Sequence, residues 1–208
     1  LAVGQAEGIR LWLMLQKETQ KWDSDAAAVE AVAAVYEGSR ELLDTKVIMA
    51  RKTYQKPLSE IKAASNGISI NCNLSVFRDG KWVEAASLAD GPDGSLLLKA
   101  GDRVKVAVDV WSQENRSFGL VTIPHPACFL PVNQLSGPSG RFFGSYRELT
   151  REAVLHWCTV LPEEHVILSE EFLVTQAGQY SAKACEAVCT YADHYRANSS
   201  APRTIFSD

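Results

Sequence analysis

The stretch YRELTREAVLHWCTVLPEEHVILSEEFLVTQAGQY, Tyr146–Tyr180, decides the fold. Two apolar runs within it, Ala153–Leu161 and Val166–Thr175, are separated by Pro162-Glu163-Glu164. Such a break between β-rich runs predicts a strand, a tight connection and a returning strand. A second break at Gln176-Ala177-Gly178 precedes a third strand, so we expect a three-stranded meander. Since no nucleophile is paired with a base here, the stretch indicates a binding module rather than an enzyme.

Two stretches upstream have apolar residues at every second position and mostly polar residues between them, which is typical of half-buried strands. The first runs through Ile68, Ile70, Cys72, Leu74 and Val76, and the second through Val104, Val106, Val108 and Val110. We expect the four valines to face inward, because a register shift of one residue would bury the charges that alternate with them.

The remaining breaks predict further short strands. Asp79-Gly80 is a strong hairpin signal, with Lys81–Ala85 as the returning strand. Phe118–Ile123 is the next strand, residues 127–145 read as a long loop, and Ser181–Thr190 is the last strand. We expect the polar tail from Asn198 to fray.

The N-terminal part has a helical pattern instead. Glu7–Thr19 and Ala26–Tyr36 are rich in helix formers, and Ser24 is a good N-cap for the second helix. The sequence therefore predicts a mostly β protein, an antiparallel β-sandwich preceded by an α-helical hairpin. Its predicted parts are residues 1–40, the helical hairpin, 41–65, a connecting segment with irregular strands, and 66–208, the sandwich.

Composition excludes several classes of protein. The formal net charge of −4 and the pI near 5.6 argue against a nucleic-acid-binding surface, which needs a basic patch. The sequence contains no run of about 18 apolar residues, the length that a membrane-spanning helix needs. The chain begins with Leu1 and shows no signal-like segment, so we expect a fragment or a processed product.

Three stretches together resemble the alpha-2-macroglobulin family, most closely its bacterial branch. Gly8–Val32 is similar to the last helical hairpin of that family's α/α-toroid domain. NGISINCNLSVFRDGKWVEA and LKAGDRVKVAVDV, within Asn66–Val110, resemble the start of the C-terminal macroglobulin domain. FGLVTIPHPACFLPV and TQAGQYSAKACEAVCTYADHY resemble the rest of that receptor-binding-like module.

The resemblance implies a C-terminal fragment of a broad-spectrum protease-trapping inhibitor. In that family, cleavage of a bait loop triggers a large conformational change, and a thioester captures the protease where one is present. The implied partners are proteases, through the parent protein, and the parent's other macroglobulin domains. The implied location is the periplasm or cell envelope. The family's thioester motif is absent here, and Thr190 and Asp193 stand where the family often has Met and Pro.

The sequence predicts no catalytic, cofactor-binding, metal-binding or thioester residue in this chain. Cys185, Cys189 and His194 have a metal-like spacing, but residues four apart on a strand lie about 13 Å apart, too far for one zinc ion. The serines of the glycine-rich loop, Ser136, Ser139 and Ser145, lack the P-loop pattern. His156 reads as a core or sheet-face histidine rather than a base.

Two questions stay open at the level of sequence. The cysteines Cys72, Cys128, Cys158, Cys185 and Cys189 are either mostly buried free thiols or include one or two disulfides. Glu170 shares the apolar face of Leu168 and Phe172, so it is either paired inside the sandwich or marks an edge. The sequons at Asn73, Asn115 and Asn198 have meaning only in a secreted eukaryotic protein.

Two other functions are compatible with parts of the pattern. One is an adhesion or ligand-binding sandwich of the cell envelope that captures no protease. The other is an enzyme of the terpenoid-cyclase toroid type, which the lack of an Asp-rich motif disfavours. In the inhibitor reading, the hairpin Glu7–Tyr36 has lost its neighbouring helices. We expect it either to dock on the sandwich or to pair with a second copy of the chain, and we favour the pairing.

Overall fold

The computed structural model describes residues 29–30, 33, 57–88, 91, 95–139, 144–181, 183–200 and 204–207. The chain divides into two compact units, Leu1–Gln55 and Lys56–Asp208. In the first unit only Val29, Glu30 and Ala33 are described, and all three have helical backbone. The rest of the predicted hairpin and the connection up to residue 56 lie outside the described residues, so these parts and the boundaries at 40 and 65 stay predictions.

The described part of the second unit is built from β-strands and two short 3-10 turns, Leu58–Glu60 and Ala85–Ser87. No helix within the described residues has the length and apolar character needed to cross a lipid bilayer. In chain order the strands are β1 (Ala64–Asn66), β2 (Ile68–Arg78), β3 (Lys81–Glu84), β4 (Leu96–Leu98), β5 (Arg103–Ser112), β6 (Arg116–Pro124), β7 (Phe129–Pro131), β8 (Gly137–Pro138), β9 (Ser145–Leu149), β10 (Ala153–Leu161), β11 (His165–Val174), β12 (Gly178–Tyr180), β13 (Glu186–Cys189), β14 (Ala192–Asn198) and β15 (Ile205–Ser207).

The strands form two large antiparallel sheets and one small sheet. The seven-stranded sheet has the order β1-β14-β13-β6-β10-β9-β8, and the five-stranded sheet has the order β3-β2-β5-β11-β7. The small sheet, β12-β15-β4, contains a parallel pair between β15 and β4. The inner faces of both large sheets contribute to one apolar cluster, which makes the unit a two-layered sandwich.

The regular alternation of β5 puts its valines into this core, as predicted. Val104, Val108 and Val110 are fully buried and Val106 is 5% exposed. β2 and β11 flank β5, and most of its valines have apolar neighbours on both sides, such as Cys72 and Leu168 beside Val108. The predicted inward face is confirmed.

The Asp79-Gly80 hairpin is also confirmed. Both residues have positive φ, 49° and 80°, and Arg78 pairs with Lys81 across the turn. Positive φ at both central positions is the backbone of a type I′ turn, and its twist matches that of the strands it joins.

The Leu-Lys-Ala-Gly-Asp-Arg-Val segment leads into β5 and forms a corner of the five-stranded sheet that hydrogen bonds hold in place. The Asp102 carboxylate accepts a hydrogen bond of 2.8 Å from the Lys99 amide and pairs with both terminal nitrogens of Arg78. The backbone of Gly101 and Asp102 bonds to Val174 at the end of β11. This corner therefore joins the ends of β2, β5 and β11.

The predicted meander is wrong, although β10 and β11 lie at the predicted positions. β10 pairs with β6 and β9 in the seven-stranded sheet, whereas β11 pairs with β5 and β7 in the other. β12, the third predicted strand, pairs with β15. Three extended residues, Pro162-Glu163-Glu164, span about 10 Å, which is also the distance between packed sheets. The same connection therefore fits a crossover as well as a hairpin.

Three further predictions need correction. The loop 127–145 contains β7 and β8, which add edge strands to the two large sheets. Among the described residues of the predicted last strand, Ser181–Thr190, only Glu186–Cys189 pairs within a sheet. The tail does not simply fray, because Ile205 is 2% exposed and β15 bridges β4 and β12.

Candidate functional site

A buried polar cluster connects the two large sheets. Glu170 projects inward from β11, and Arg147 and His156 project inward from β9 and β10 of the other sheet. Arg147 donates from Nε to Glu170 Oε1 at 2.9 Å and from Nη2 to Oε2 at 2.7 Å. His156 Nε2 lies 3.1 Å from Glu170 Oε1. The three side chains are each less than 10% exposed, so Glu170 is paired inside the sandwich, one of its two predicted alternatives.

Two further donors of Arg147 bond to backbone carbonyls. Nη1 donates to the Leu135 carbonyl at 2.6 Å and Nη2 to the Asn133 carbonyl at 3.0 Å. The desolvation of a buried ion pair is offset only when its other polar atoms also find partners, and with these carbonyls four of the five N–H donors of Arg147 have an acceptor. The cluster therefore also holds the segment between β7 and β8 against the sheets.

The charge state of Glu170 follows from these contacts. Burial by itself raises the pKa of this carboxyl group, but the contacts with His156 and Arg147 outweigh burial and hold the pKa below its ordinary range. Glu170 is therefore an ionised carboxylate at neutral pH.

The cluster is arranged for structure rather than for nucleophilic catalysis. Neither ring nitrogen of His156 makes an aligned hydrogen bond within the described residues, and the Cys158 thiol contacts the His156 carbonyl at 3.7 Å, not the ring. General-base activation needs a nucleophile within hydrogen-bond reach of the ring.

The serines of the glycine-rich loop make hydrogen bonds to groups close to them in the fold. Ser136 Oγ accepts from the Leu149 amide at 2.9 Å, and the Ser139 and Ser145 hydroxyls contact each other.

The three residues with a metal-like spacing, for which the sequence predicts no metal site, lie on different elements. Cys185 precedes β13, Cys189 ends it, and His194 lies in β14. Within the described ranges no three side chains of His, Cys, Asp or Glu are grouped as metal ligands.

Cys185 instead faces Cys72 of the five-stranded sheet. Their Sγ atoms are 3.1 Å apart, although 113 residues separate them in sequence. Both line a cleft of ≈ 380 Å³ between the sheets, whose wall is largely apolar and includes Leu74, Phe129 and Ile205. The pair could not be predicted from the sequence, because the residues around each cysteine do not indicate which distant cysteine it meets.

A row of apolar side chains crosses the outer face of the seven-stranded sheet, two of them exposed and two half-buried. Tyr146, Trp157, Leu120 and Val188, on β9, β10, β6 and β13, lie directly opposite one another in register. Tyr146 is 44% exposed and Trp157 37% exposed. Trp157 Nε1 donates to Glu148 Oε2 at 2.7 Å, which fixes the orientation of the indole ring.

An exposed aromatic pair continues this row. Phe118 and Tyr191 pack edge to face with ring centroids 5.0 Å apart, and a shallow depression lined by both rings reaches Trp157. Phe118 has a φ of 58°, which is rare for an aromatic residue, and Thr190 holds its carbonyl with two hydrogen bonds of 2.9 and 2.6 Å. We call these six residues the aromatic surface: Phe118, Leu120, Tyr146, Trp157, Val188 and Tyr191.

Comparisons with known proteins agree with this fold. A family model described as the bacterial alpha-2-macroglobulin MG10 domain matches residues 67–194. The chain is similar to Escherichia coli alpha-2-macroglobulin from domain MG7 to the C-terminus, with a TM-score of 0.54, 18% identity, and coverage of 73% of this chain and 25% of that one. No curated protein sequence matches the chain.

Two longer structures give the same result. For Escherichia coli alpha-2-macroglobulin activated by porcine elastase, the TM-score is 0.57 at 20% identity, covering 73% of this chain and 14% of that one. For Salmonella alpha-2-macroglobulin reacted with methylamine, the TM-score is 0.53 at 22% identity, covering 70% of this chain and 9% of that one. These identities show a shared fold. The chain covers only 9% to 25% of the length of the structures compared.

Proposed function

The chain belongs to the bacterial alpha-2-macroglobulin family, with its MG10 domain at residues 67–194, and from this premise we propose that it is a C-terminal part of a protease-trapping inhibitor. Family membership carries the proposal. The trapping itself, by cleavage of a bait loop and closure around the protease, belongs to the parent protein. In this proposal the sandwich of this chain recognises and positions other parts of that protein and performs no chemistry.

The aromatic surface is the proposed contact site. Its occupant is another domain of the same parent protein, because the chain matches only 9% to 25% of the length of its structural relatives and the parent's other domains lie outside it. Aromatic side chains with one polar end are enriched at protein interfaces, since they combine apolar area with a hydrogen-bonding group. Tyr146, Trp157 and Tyr191 provide such groups on one face of the sheet.

The proposed location is the periplasm or cell envelope, where such an inhibitor meets foreign proteases. This location follows from the family resemblance. Fractionation of cells that produce the parent protein, followed by immunoblotting with an antibody against this sandwich, tests it. Recovery in the cytoplasm alone would contradict it.

Protease trapping is tested on the parent protein, cloned with the sequence upstream of Leu1. A trapped protease still cleaves small peptides but is shielded from large substrates. Elastase is incubated with the parent protein, and its activity on two substrates is compared before and after. We expect its cleavage of a large protein substrate to fall at least tenfold more than its cleavage of a small chromogenic peptide. Equal cleavage of both substrates before and after incubation would reject the proposed function and favour the adhesion or ligand-binding module.

The contact site is tested in the same assay with matched variants. Trp157→Ala removes the central ring of the aromatic surface, whereas Ile167→Ala removes an apolar side chain that is 63% exposed on the other sheet. We expect only Trp157→Ala to weaken trapping and to increase limited proteolysis of the parent between its domains. Equal effects of the two variants would show that the aromatic surface is not the contact site.

A further inference from the structure

We propose that Cys72 and Cys185 form a redox modification site, a pair of thiols that external disulfides convert into a covalent link between the two large sheets. This site is independent of the proposed contact surface and of protease trapping. The proposal bears on the question that the sequence leaves open, whether the cysteines are buried free thiols or include disulfides.

The positions of both cysteines favour a bond between them. Their Sγ atoms are 3.1 Å apart, so the sulfurs must approach by only about 1 Å to reach a disulfide length near 2.05 Å. Cys185 is held in place from both sides of its backbone: its amide donates to Ser199 Oγ at 3.0 Å, and its carbonyl accepts from the Ser199 amide at 2.9 Å. Cys72 lies in the middle of β2, paired with Val108.

The other three cysteines differ from this pair. Cys128, Cys158 and Cys189 are at most 3% exposed, and none of them has a second sulfur as a hydrogen-bond partner among the described contacts. Burial raises the pKa of Cys128 to about 11 and that of Cys158 to about 12, so both stay protonated thiols. These three fit the interpretation of buried free thiols.

Cys72 is the thiol that reacts first. It is only partly buried and lines the cleft of ≈ 380 Å³, through which a small disulfide can reach it. The Cys185 thiol donates a hydrogen bond to the Cys72 sulfur, which lowers the pKa of Cys72 and raises that of Cys185. A lower pKa increases the fraction of the thiolate, which is the attacking species in thiol–disulfide exchange.

The reaction is two successive exchanges with one external disulfide. The Cys72 thiolate attacks one sulfur of that disulfide, forming a mixed disulfide and releasing one thiolate, which takes up the proton lost by Cys72. Cys185 then attacks the Cys72 sulfur and releases the second thiolate, which takes up the Cys185 proton. Two protein thiols become one disulfide, and the external disulfide is reduced to two thiols.

The experiment uses the full 208-residue chain and its Cys72→Ala, Cys185→Ala and Cys158→Ala variants, each incubated with excess oxidised glutathione. Free thiols are counted in denaturant after acid quenching, and cross-linked peptides are mapped by mass spectrometry. We expect the unmodified chain to fall from five free thiols to three, and Cys158→Ala from four to two. Neither Cys72→Ala nor Cys185→Ala should form an internal disulfide.

Thermal unfolding gives a second readout of the same link. A disulfide between cysteines 113 residues apart restricts the unfolded chain. We therefore expect oxidation to raise the unfolding midpoint by roughly 5–10 °C in the unmodified chain and in Cys158→Ala. Cys72→Ala should show no such rise. Retention of all five thiols in the folded chain, or a mapped disulfide that includes another cysteine, would overturn the proposal.

Discussion

Glu170 shows how one residue can contradict the pattern around it and still be required by the fold. It occupies an inward position of β11 between Leu168 and Phe172, and its charge is matched by Arg147 from the opposite sheet. Breaking a buried pair from one side leaves the other charge uncompensated, which costs about 3–5 kcal/mol. The cluster is therefore a specific noncovalent contact between the two large sheets.

We predict that Glu170→Gln lowers the free energy of unfolding by about 3 kcal/mol, because Arg147 stays buried without a counter-charge. Glu171→Gln is the matched control, since Glu171 pairs with Arg103 at the surface, where an ion pair contributes about 0–1 kcal/mol. Urea unfolding of both variants measures the difference. Equal losses would show that the buried pair is not special.

The same variant predicts a pH dependence. Folding lowers the pKa of Glu170, so its stabilising effect is complete above the pKa of an unfolded glutamate, about 4.3, and is lost as the pH falls through the lower folded value. We expect the stability of the unmodified chain to decline on acidification through this range, and the decline in Glu170→Gln to be shallower. Parallel curves of unfolding free energy against pH for the two proteins would contradict this assignment.

His156 is the residue that a search for catalysis selects first, and its surroundings favour a structural role. Its Nε2 approaches Glu170, while within the described residues no hydroxyl or thiol donates to its ring. We predict that the chain shows no turnover of peptide or ester substrates. Reproducible hydrolysis that His156→Ala abolishes in a variant that remains folded by circular dichroism would disprove the prediction.

Gly67, between β1 and β2, is required for two separate reasons. Its φ is +66°, and a Cβ atom would lie 2.7 Å from Tyr195 Cδ1, in a ring that also stacks on the Arg116 guanidinium. We predict that Gly67→Ala destabilises the fold by about 2–4 kcal/mol, from backbone strain plus the overlap. Gly80→Ala is the control: φ is +80°, but no atom of the described residues lies within 4 Å of the added Cβ, so only the strain of about 1–2 kcal/mol remains.

At the scale of single elements, β5 shows what alternation controls. Val106 is 5% exposed and lies beside Glu170 in the register, whereas Ala107 on the same strand faces outward. Val106→Asp puts a second carboxylate into the core next to Glu170, and Ala107→Asp adds the same charge to the outer face.

We predict that Val106→Asp lowers the free energy of unfolding by several kcal/mol, at least about 3, because the new charge is desolvated and repelled. Ala107→Asp should change it by less than about 1 kcal/mol. Thermal midpoints of both variants, measured at neutral pH, test the assigned face. An unchanged midpoint in Val106→Asp would show that the face is assigned wrongly.

At the scale of the whole molecule, the helical hairpin Glu7–Tyr36 is a prediction from sequence. Six apolar residues of the predicted helices, Trp12, Leu13, Leu15, Val29, Val32 and Tyr36, would need cover in the absence of neighbouring helices. Each side chain of this kind contributes about 1.5–3 kcal/mol when buried. We therefore propose a symmetric dimer through the hairpin, with the same patch on each subunit.

Light scattering on the chain with and without residues 1–40 measures this association. We expect a dimer for the full chain at high concentration and a monomer for the shortened chain. A monomer in both cases would rule out pairing. A dimer in both would place the contact elsewhere on the molecule.

The sequence by itself determined the properties that depend on neighbouring residues along the chain. The alternation in β2 and β5 determined which side chains face the core, and Asp79-Gly80 determined the turn between β2 and β3. Period and turn chemistry are local, so one chain segment is enough to predict them. The ordered set of motifs also indicated the family, and the match of the family model to residues 67–194 confirms it.

Only the tertiary structure decided which distant segments meet. It placed β10 and β11 in different sheets, joined β15 to β4, and brought Arg147 to Glu170 and Cys72 to Cys185. The reason is that a strand presents the same backbone groups to every potential partner, and a three-residue connection can turn within a sheet or cross to the facing one. The choice depends on burying all the apolar faces together, and no single segment contains that information.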